Sequence, residues 1–165
     1  NWFNDEVKNK GVQLKRIVRY FKAWKDYKKG NDKFPSGMIF TILAANHFVK
    51  GYEEDDDSAF VATAQEIYDQ LNSSFSLKRP VFPEEELLDG WSETAKTNFL
   101  NKLSNLIKQG QKALETEDKK EAADIWRKIF GDRFPEYTPP EERMDKGYAL
   151  QTSKPAVLGN HGRSS

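Results

Sequence analysis

The chain has 165 residues, 32% of them charged and 13% aromatic, with 26 basic and 26 acidic side chains. That length suits one domain with a sizeable core, and the balanced charge excludes a generally nucleic-acid-coating or membrane-surface protein. With no cysteine there is no disulfide framework, thiolate metal site or thiol nucleophile, and two histidines, His47 and His161, are too few and too far apart for a zinc site of their own.

No run reaches the roughly 18 apolar residues of a membrane span, and nothing at the start has the pattern of a signal peptide. The expectation is a cytoplasmic protein with no membrane partner. Asn1 stands where a methionine would open a whole chain, so a piece of a longer protein is expected.

Residues 1–11 form a polar lead-in whose Trp2 and Phe3 are expected to pack back on the first helix. In that helix Leu14, Ile17, Val18 and Phe21 follow the spacing of one buried stripe, while Lys15, Arg19, Lys22 and Lys29 fall along an adjacent one. Gly30-Asn31-Asp32 then ends it. Charge is segregated here: residues 8–33 hold ten basic side chains and two acidic ones, whereas 53–57 are all acidic. A Pro35-Ser36-Gly37 corner opens the apolar run 38–49, which reads as a helix surrounded by others.

The acidic run 53–57 reads as a solvated loop, with Asp57 or Ser58 capping a third helix that buries Phe60, Ala64, Ile67 and Leu71. Residues 72–88 lack a helical period. Pro80 and Pro83 make that segment extended, and 84–88 suit a short helical turn. The longest helix is expected over 91–117, with Gly110 as a weak point. Asp118-Lys119-Lys120-Glu121 has the spacing of a capping box, introducing Ala122, Ile125, Trp126, Ile129 and Phe130 on one face, closed by Gly131. Periodicity dissolves from Pro135 onward. The expected architecture is all-α, about five helices around a central apolar helix (38–49), with an extended Pro-containing segment. A helical lobe, 1–135, is followed by an extended or flexible tail, 136–165.

Motifs of known enzyme chemistry are missing: there is no Gly-rich P-loop, no Gly-x-Ser-x-Gly and no His-Glu-x-x-His. The acidic run lacks the spaced oxygen ligands of a calcium loop, His47 on an apolar helix reads as a buried histidine, and Asn72-Ser73-Ser74 is a chance sequon. What remains is the cationic flank and the Ser36 helix start. Taken singly these are a solvated face and a plain cap. Facing one space, they would clamp an anion, because free helix N–H groups and ammoniums both favour phosphate.

Four blocks carry a family resemblance: Leu14-Lys15-Arg16-Ile17-Val18-Arg19-Tyr20-Phe21-Lys22-Ala23-Trp24; Pro35-Ser36; Arg79-Pro80-Val81-Phe82-Pro83; and Ile125-Trp126-Arg127-Lys128-Ile129-Phe130-Gly131-Asp132-Arg133-Phe134-Pro135. The chain resembles the C-terminal helical half of the bacterial cGAS/DncV-like nucleotidyltransferases of CBASS anti-phage systems, which join nucleoside triphosphates into cyclic messengers. The resemblance implies that Lys22 and Ser36, fourteen positions apart, hold the donor triphosphate; Lys15 and Arg19 of the same cationic flank are further candidates to help. It implies Mg²⁺ with the nucleotide in the whole enzyme, held by carboxylates of a catalytic half that would precede Asn1, so this chain alone should not catalyse. It also implies that the tail, Pro155-Ala156-Val157-Leu158-Gly159 followed by Gly162-Arg163-Ser164-Ser165, ends in a Ser165 carboxylate joined to targets by a ubiquitin-transfer-like protein. Two other readings stand beside it: a non-catalytic helical interaction module whose basic flank docks an acidic partner or nucleic-acid backbone, and a chain whose working part is the tail as a conjugation substrate.

Overall fold

Side-chain caps start five of the helices: Asn1, Ser36, Asp55, Ser92 and Asp118 each accept a backbone N–H of the turn they open. The computed structural model describes residues 1–52 and 54–140. Within them run α1 (Trp2–Lys10), α2 (Gln13–Lys28), α3 (Gly37–His47), α4 (Asp56–Ser73), α5 (Glu93–Glu115) and α6 (Lys119–Phe130), followed by a 3-10 turn, Gly131–Arg133. The fold is all-α, with one helix more than expected.

The extra helix is α1. Its composition is polar, but Asn1 caps it, Glu6 and Lys10 form an i, i+4 ion pair at 2.8 Å, and Gly11 ends it at φ 104°. Trp2, Phe3 and Val7 pack against the core as expected, from a helix rather than a loose lead-in.

The expected buried stripes of α2, α4 and α6 are present, except that Ala122 of α6 is only half-buried. Leu14, Ile17, Val18, Phe21 and Trp24 of α2 are buried, as are Phe60, Ala64, Ile67 and Leu71 of α4 and Ile125, Trp126, Ile129 and Phe130 of α6. α3 buries Ile39, Phe40, Ile42, Leu43, Ala44 and Ala45. It packs against α1, α2 and α4, while α2 packs against α1, α3, α4 and α6. Of the six helices, α2 packs against the most neighbours, and the most extensive packing is of α5 on α4 and α6. Rings join the layers: Phe21 stacks on Phe40 at 5.7 Å and tilts on Phe60 at 4.7 Å, Phe60 meets Phe130 at 5.5 Å, and Trp24 meets Phe99 at 6.2 Å.

Gly110 has a packing role. A Cβ there would stand 2.6 Å from Val61 Cγ2, so the glycine lets α5 approach α4.

Three local expectations change. The acidic run is not simply a solvated loop: Asp55 caps α4, and Asp56 and Asp57 are buried in its first turn. Asp56 accepts from Arg16 Nε at 2.6 Å, Arg16 Nη2 at 3.0 Å, Tyr20 Oη at 3.0 Å and Gln13 Nε2 at 3.0 Å. Burial first, and then the Asp56 carboxylate, raise the Tyr20 phenol well above its ordinary value. The carboxylate is thus a buried bolt between α2 and α4, because α2 supplies enough donors to replace water.

The segment between α4 and α5 turns back on itself instead of ending in a helical turn. Lys78 and Glu86 form an isolated antiparallel bridge, Leu87 N–H donates to Leu77 at 2.7 Å, and Arg79 N–H donates to Glu85 at 3.0 Å. The Glu86 carboxylate, accepting the N–H groups of Leu77 and Leu88, closes the loop. At its tip Val81 takes φ 72° and is exposed, as is Phe82.

At α6 the capping box is half formed. Asp118 accepts from Lys120 and Glu121 N–H, but the Glu121 carboxylate takes a hydrogen bond from the Thr116 hydroxyl rather than reaching the Asp118 N–H.

Candidate anion-binding site

The corner at the start of α3 is built from its apolar anchors outward. Phe34 and Pro35 are buried, and the Phe34 ring packs on Trp24 at 5.2 Å and on Phe99 at 5.4 Å. Phe40, one turn into α3, contacts both Phe21 and Trp24 of α2. Those two α2 residues flank Lys22 in sequence, so the same ring contacts fix where Lys22 emerges.

Lys22 emerges over the first residue of α3. A Cβ on Gly37 would lie 3.3 Å from Lys22 Cε and 3.9 Å from its Nζ. Ser36, extended at φ −66° and ψ 166°, accepts the Ile39 N–H on its Oγ at 3.2 Å. Gly37 and Met38 are the first two helical residues, and α-helix geometry gives their N–H groups no intrahelical acceptor. An ammonium, a hydroxyl and two helix-start N–H groups are thus gathered on one exposed corner. The positive end of the α3 dipole adds to the ammonium.

Of the four expected residues, the structure brings Lys22 and Ser36 to the same corner. Arg19 lies one turn back on α2 and is exposed. Lys15 lies further away: α3 runs antiparallel to α2, since Gly37 meets Lys22 while Lys10, just before α2, donates to the Ala45 carbonyl near the end of α3 at 2.5 Å. Seven residues of helix, about 10 Å, separate Lys15 from Lys22 along the axis. Ser165 lies outside the described residues.

Arg79 reaches the corner from the loop before α5, with its Nη1 3.6 Å from the Met38 sulfur. Glu85 holds the guanidinium at 2.7 and 3.2 Å through two parallel hydrogen bonds, which lower the Glu85 carboxyl from its ordinary value. Sequence reasoning counted the cations of α2 and passed over this one. The signal available was the Arg79-Pro80 dipeptide, already part of the resemblance but not read as a charge.

His47 is half-buried at the far end of α3. Burial lowers its pKa from 6.5; Glu66 opposes that shift and Lys10 adds to it. It is remote from the corner and has no part in it.

Among the described residues no three His, Asp or Glu side chains are grouped as a metal site requires. The corner offers ammonium, guanidinium and hydroxyl groups, which suit phosphate oxygens rather than a divalent cation. No described helix is long and apolar enough to cross a membrane.

The model of the cyclic GMP-AMP synthase C-terminal domain (DncV_C) matches residues 11–138, and the chain belongs to this family. Among curated relatives it is 29% identical to a cyclic GMP-AMP synthase of Escherichia albertii, covering 98% of this chain and 38% of that protein. It is 26% identical to a cyclic AMP-AMP-AMP synthase of an Acinetobacter species, covering 81% and 40%. The chain thus spans about 40% of the length of these relatives. A similar fold is that of the Vibrio cholerae DncV cyclic AMP-GMP synthase, solved with the linear intermediate 5′ pppA(3′,5′)pG. That likeness has a TM-score of 0.69 at 21% identity, covering 79% of this chain and 35% of that one.

Proposed function

We propose that this chain is the C-terminal lobe of a cyclic-oligonucleotide synthase and that its α2–α3 corner binds the triphosphate of the donor nucleotide. The carrying observation is the placement of the Lys22 side chain across Gly37, beside the Ser36 cap and the first N–H groups of α3. A lysine there is a point charge for phosphate oxygens, and the helix start supplies directed donors. Family membership supports the same assignment, and the similar Vibrio cholerae fold was solved with a ligand that carries a triphosphate.

Lys22 and Ser36 are the primary contacts in this reading. Arg79 stands at the rim as a second cation, and Arg19 reaches toward outer phosphate oxygens. Lys15 contributes through the field of the flank rather than by contact. Mg²⁺ would arrive with the nucleoside triphosphate, held by phosphates and by a catalytic half of the protein, because the residues of this corner do not fit a divalent cation. The chain's own part is to bind and orient: cations and N–H groups fixed by the Phe34, Phe21, Trp24 and Phe40 contacts hold the polyphosphate without reorganising. A cytoplasmic enzyme making messengers for anti-phage defence is the corresponding role.

The reading is tested by incubating the protein, joined to its catalytic half, with the four nucleoside triphosphates and Mg²⁺. Cyclic oligonucleotides should appear by mass spectrometry, and Lys22→Ala should lower their rate of formation. No cyclic product from the joined protein, or an unchanged rate of formation in Lys22→Ala, would overturn it.

A further inference from the structure

A second cationic site lies away from that corner, in the cleft between the last turn of α2 and the middle of α5. Lys28 is the last residue of α2, at the end of the stripe that buries Ile17, Phe21 and Trp24, and it lines the cleft. Lys102, Asn105, Leu106 and Gln109 share one face of α5 and line the cleft together with Lys108 and Trp24. Three lysines, an asparagine and a glutamine therefore line a space of about 230 Å³.

The cleft is short of negative charge. Only Lys102 has an anionic partner among the described residues, Asp32 at 3.1 Å, itself half-exposed; Lys28 rests its ammonium 5.0 Å from the Tyr27 ring instead. Burial, and then the Lys102 charge, lower the Lys28 pKa from its ordinary value, as expected where cations are gathered ahead of their counter-ion.

We infer that this cleft binds a compact inorganic phosphate anion, diphosphate above orthophosphate, independently of the donor-triphosphate corner. Three separated point charges suit the spread oxygens of diphosphate better than a single carboxylate, and Asn105 and Gln109 add neutral donors. The volume lies below the roughly 300–1,000 Å³ of sites that enclose larger organic ligands, so a whole nucleotide does not fit. Diphosphate is also what a nucleotidyl transfer from a triphosphate releases, which would make the cleft a sensor of product.

The test is calorimetric titration of sodium pyrophosphate and, separately, sodium phosphate into the intact protein at fixed ionic strength. Pyrophosphate should bind more tightly than phosphate. The Lys28→Gln, Lys102→Gln double variant should weaken it tenfold or more, while Lys120→Gln, at an exposed lysine of α6 that does not line the cleft, should change it less than twofold. Asp32→Asn, which removes the internal counter-charge, should tighten binding severalfold, a gain that misfolding cannot imitate. No binding at millimolar pyrophosphate, an equal loss of binding with Lys120→Gln, or no change in the Lys28 and Lys102 variant would each overturn the inference. Because the variants are disjoint from Lys22 and Ser36, failure here leaves the donor-site reading standing.

Discussion

The Lys22 side chain lies across Gly37, with its Cε 3.3 Å from where a Cβ would stand. A glycine at this helix start keeps the space above the first turn open to the ammonium. The neighbouring atom is the far end of a flexible side chain, so an added methyl would displace the lysine rather than the backbone. Gly37→Ala should therefore leave the thermal midpoint unchanged or slightly raised, since alanine is favoured over glycine in helices by about 1 kcal/mol. Affinity for an ATP analogue should fall severalfold as Lys22 is moved aside. Thermal unfolding and nucleotide titration of the same variant separate the two effects.

Gly131 should be far less forgiving. It adopts φ 79° and ψ −159°, a region that only glycine occupies readily, and a Cβ would fall 2.6 Å from the Tyr27 ring. Gly131→Ala should cost about 2–4 kcal/mol by urea denaturation, combining backbone strain with overpacking. Adding Tyr27→Ala should recover only the overpacking part.

The Asp56 bolt makes a third expectation. Its carboxylate is 1% exposed, whereas the Arg16 side chain that pairs with it is 25% exposed. Breaking a buried pair by removing one partner costs about 3–5 kcal/mol, and the exposure of Arg16 places Asp56→Ala toward the lower end. The measurement is again the urea midpoint. Asp56→Ala should destabilise clearly more than truncation of the exposed pair Lys120–Asp124, for which surface ion pairs predict about 0–1 kcal/mol.

His47 links stability to pH. Burial lowers its folded pKa below the unfolded value near 6.5, so the unfolded chain binds the proton first as pH falls. Its contribution is full above pH 6.5 and is lost as pH drops from there through the folded pKa. Stability measured from pH 7.5 downward should therefore decline more steeply below about 6.5 in the wild type than in His47→Gln. Equal slopes would mean that the histidine is as readily protonated folded as unfolded.

Much of this architecture was legible because its periodicity is strong. The stripe of α2, the faces of α4 and α6, and the caps Ser36 and Asp118 follow from spacing and side-chain chemistry alone. The failures share a cause. α1 was missed because its apolar residues are few and only partly buried, leaving cap and ion-pair signals to carry it. Local pattern does not mark Asp56 as buried, because its burial depends on Gln13, Arg16 and Tyr20, some forty positions away. Arg79 was passed over for the same reason, since its contact with Met38 is made in space and not along a helix. Local pattern reveals which face is apolar; it does not reveal which distant donor will satisfy a buried charge.

The central claim is that Lys22 and Ser36 hold a triphosphate, and calorimetry on the protein carrying both of its halves tests it most directly. A non-hydrolysable ATP analogue with Mg²⁺ should bind the wild type well and the Lys22→Ala, Ser36→Ala double variant about 10- to 100-fold more weakly, the size expected for losing hydrogen bonds to a charged group. The analogue's affinity left unchanged in a folded double variant would contradict the account.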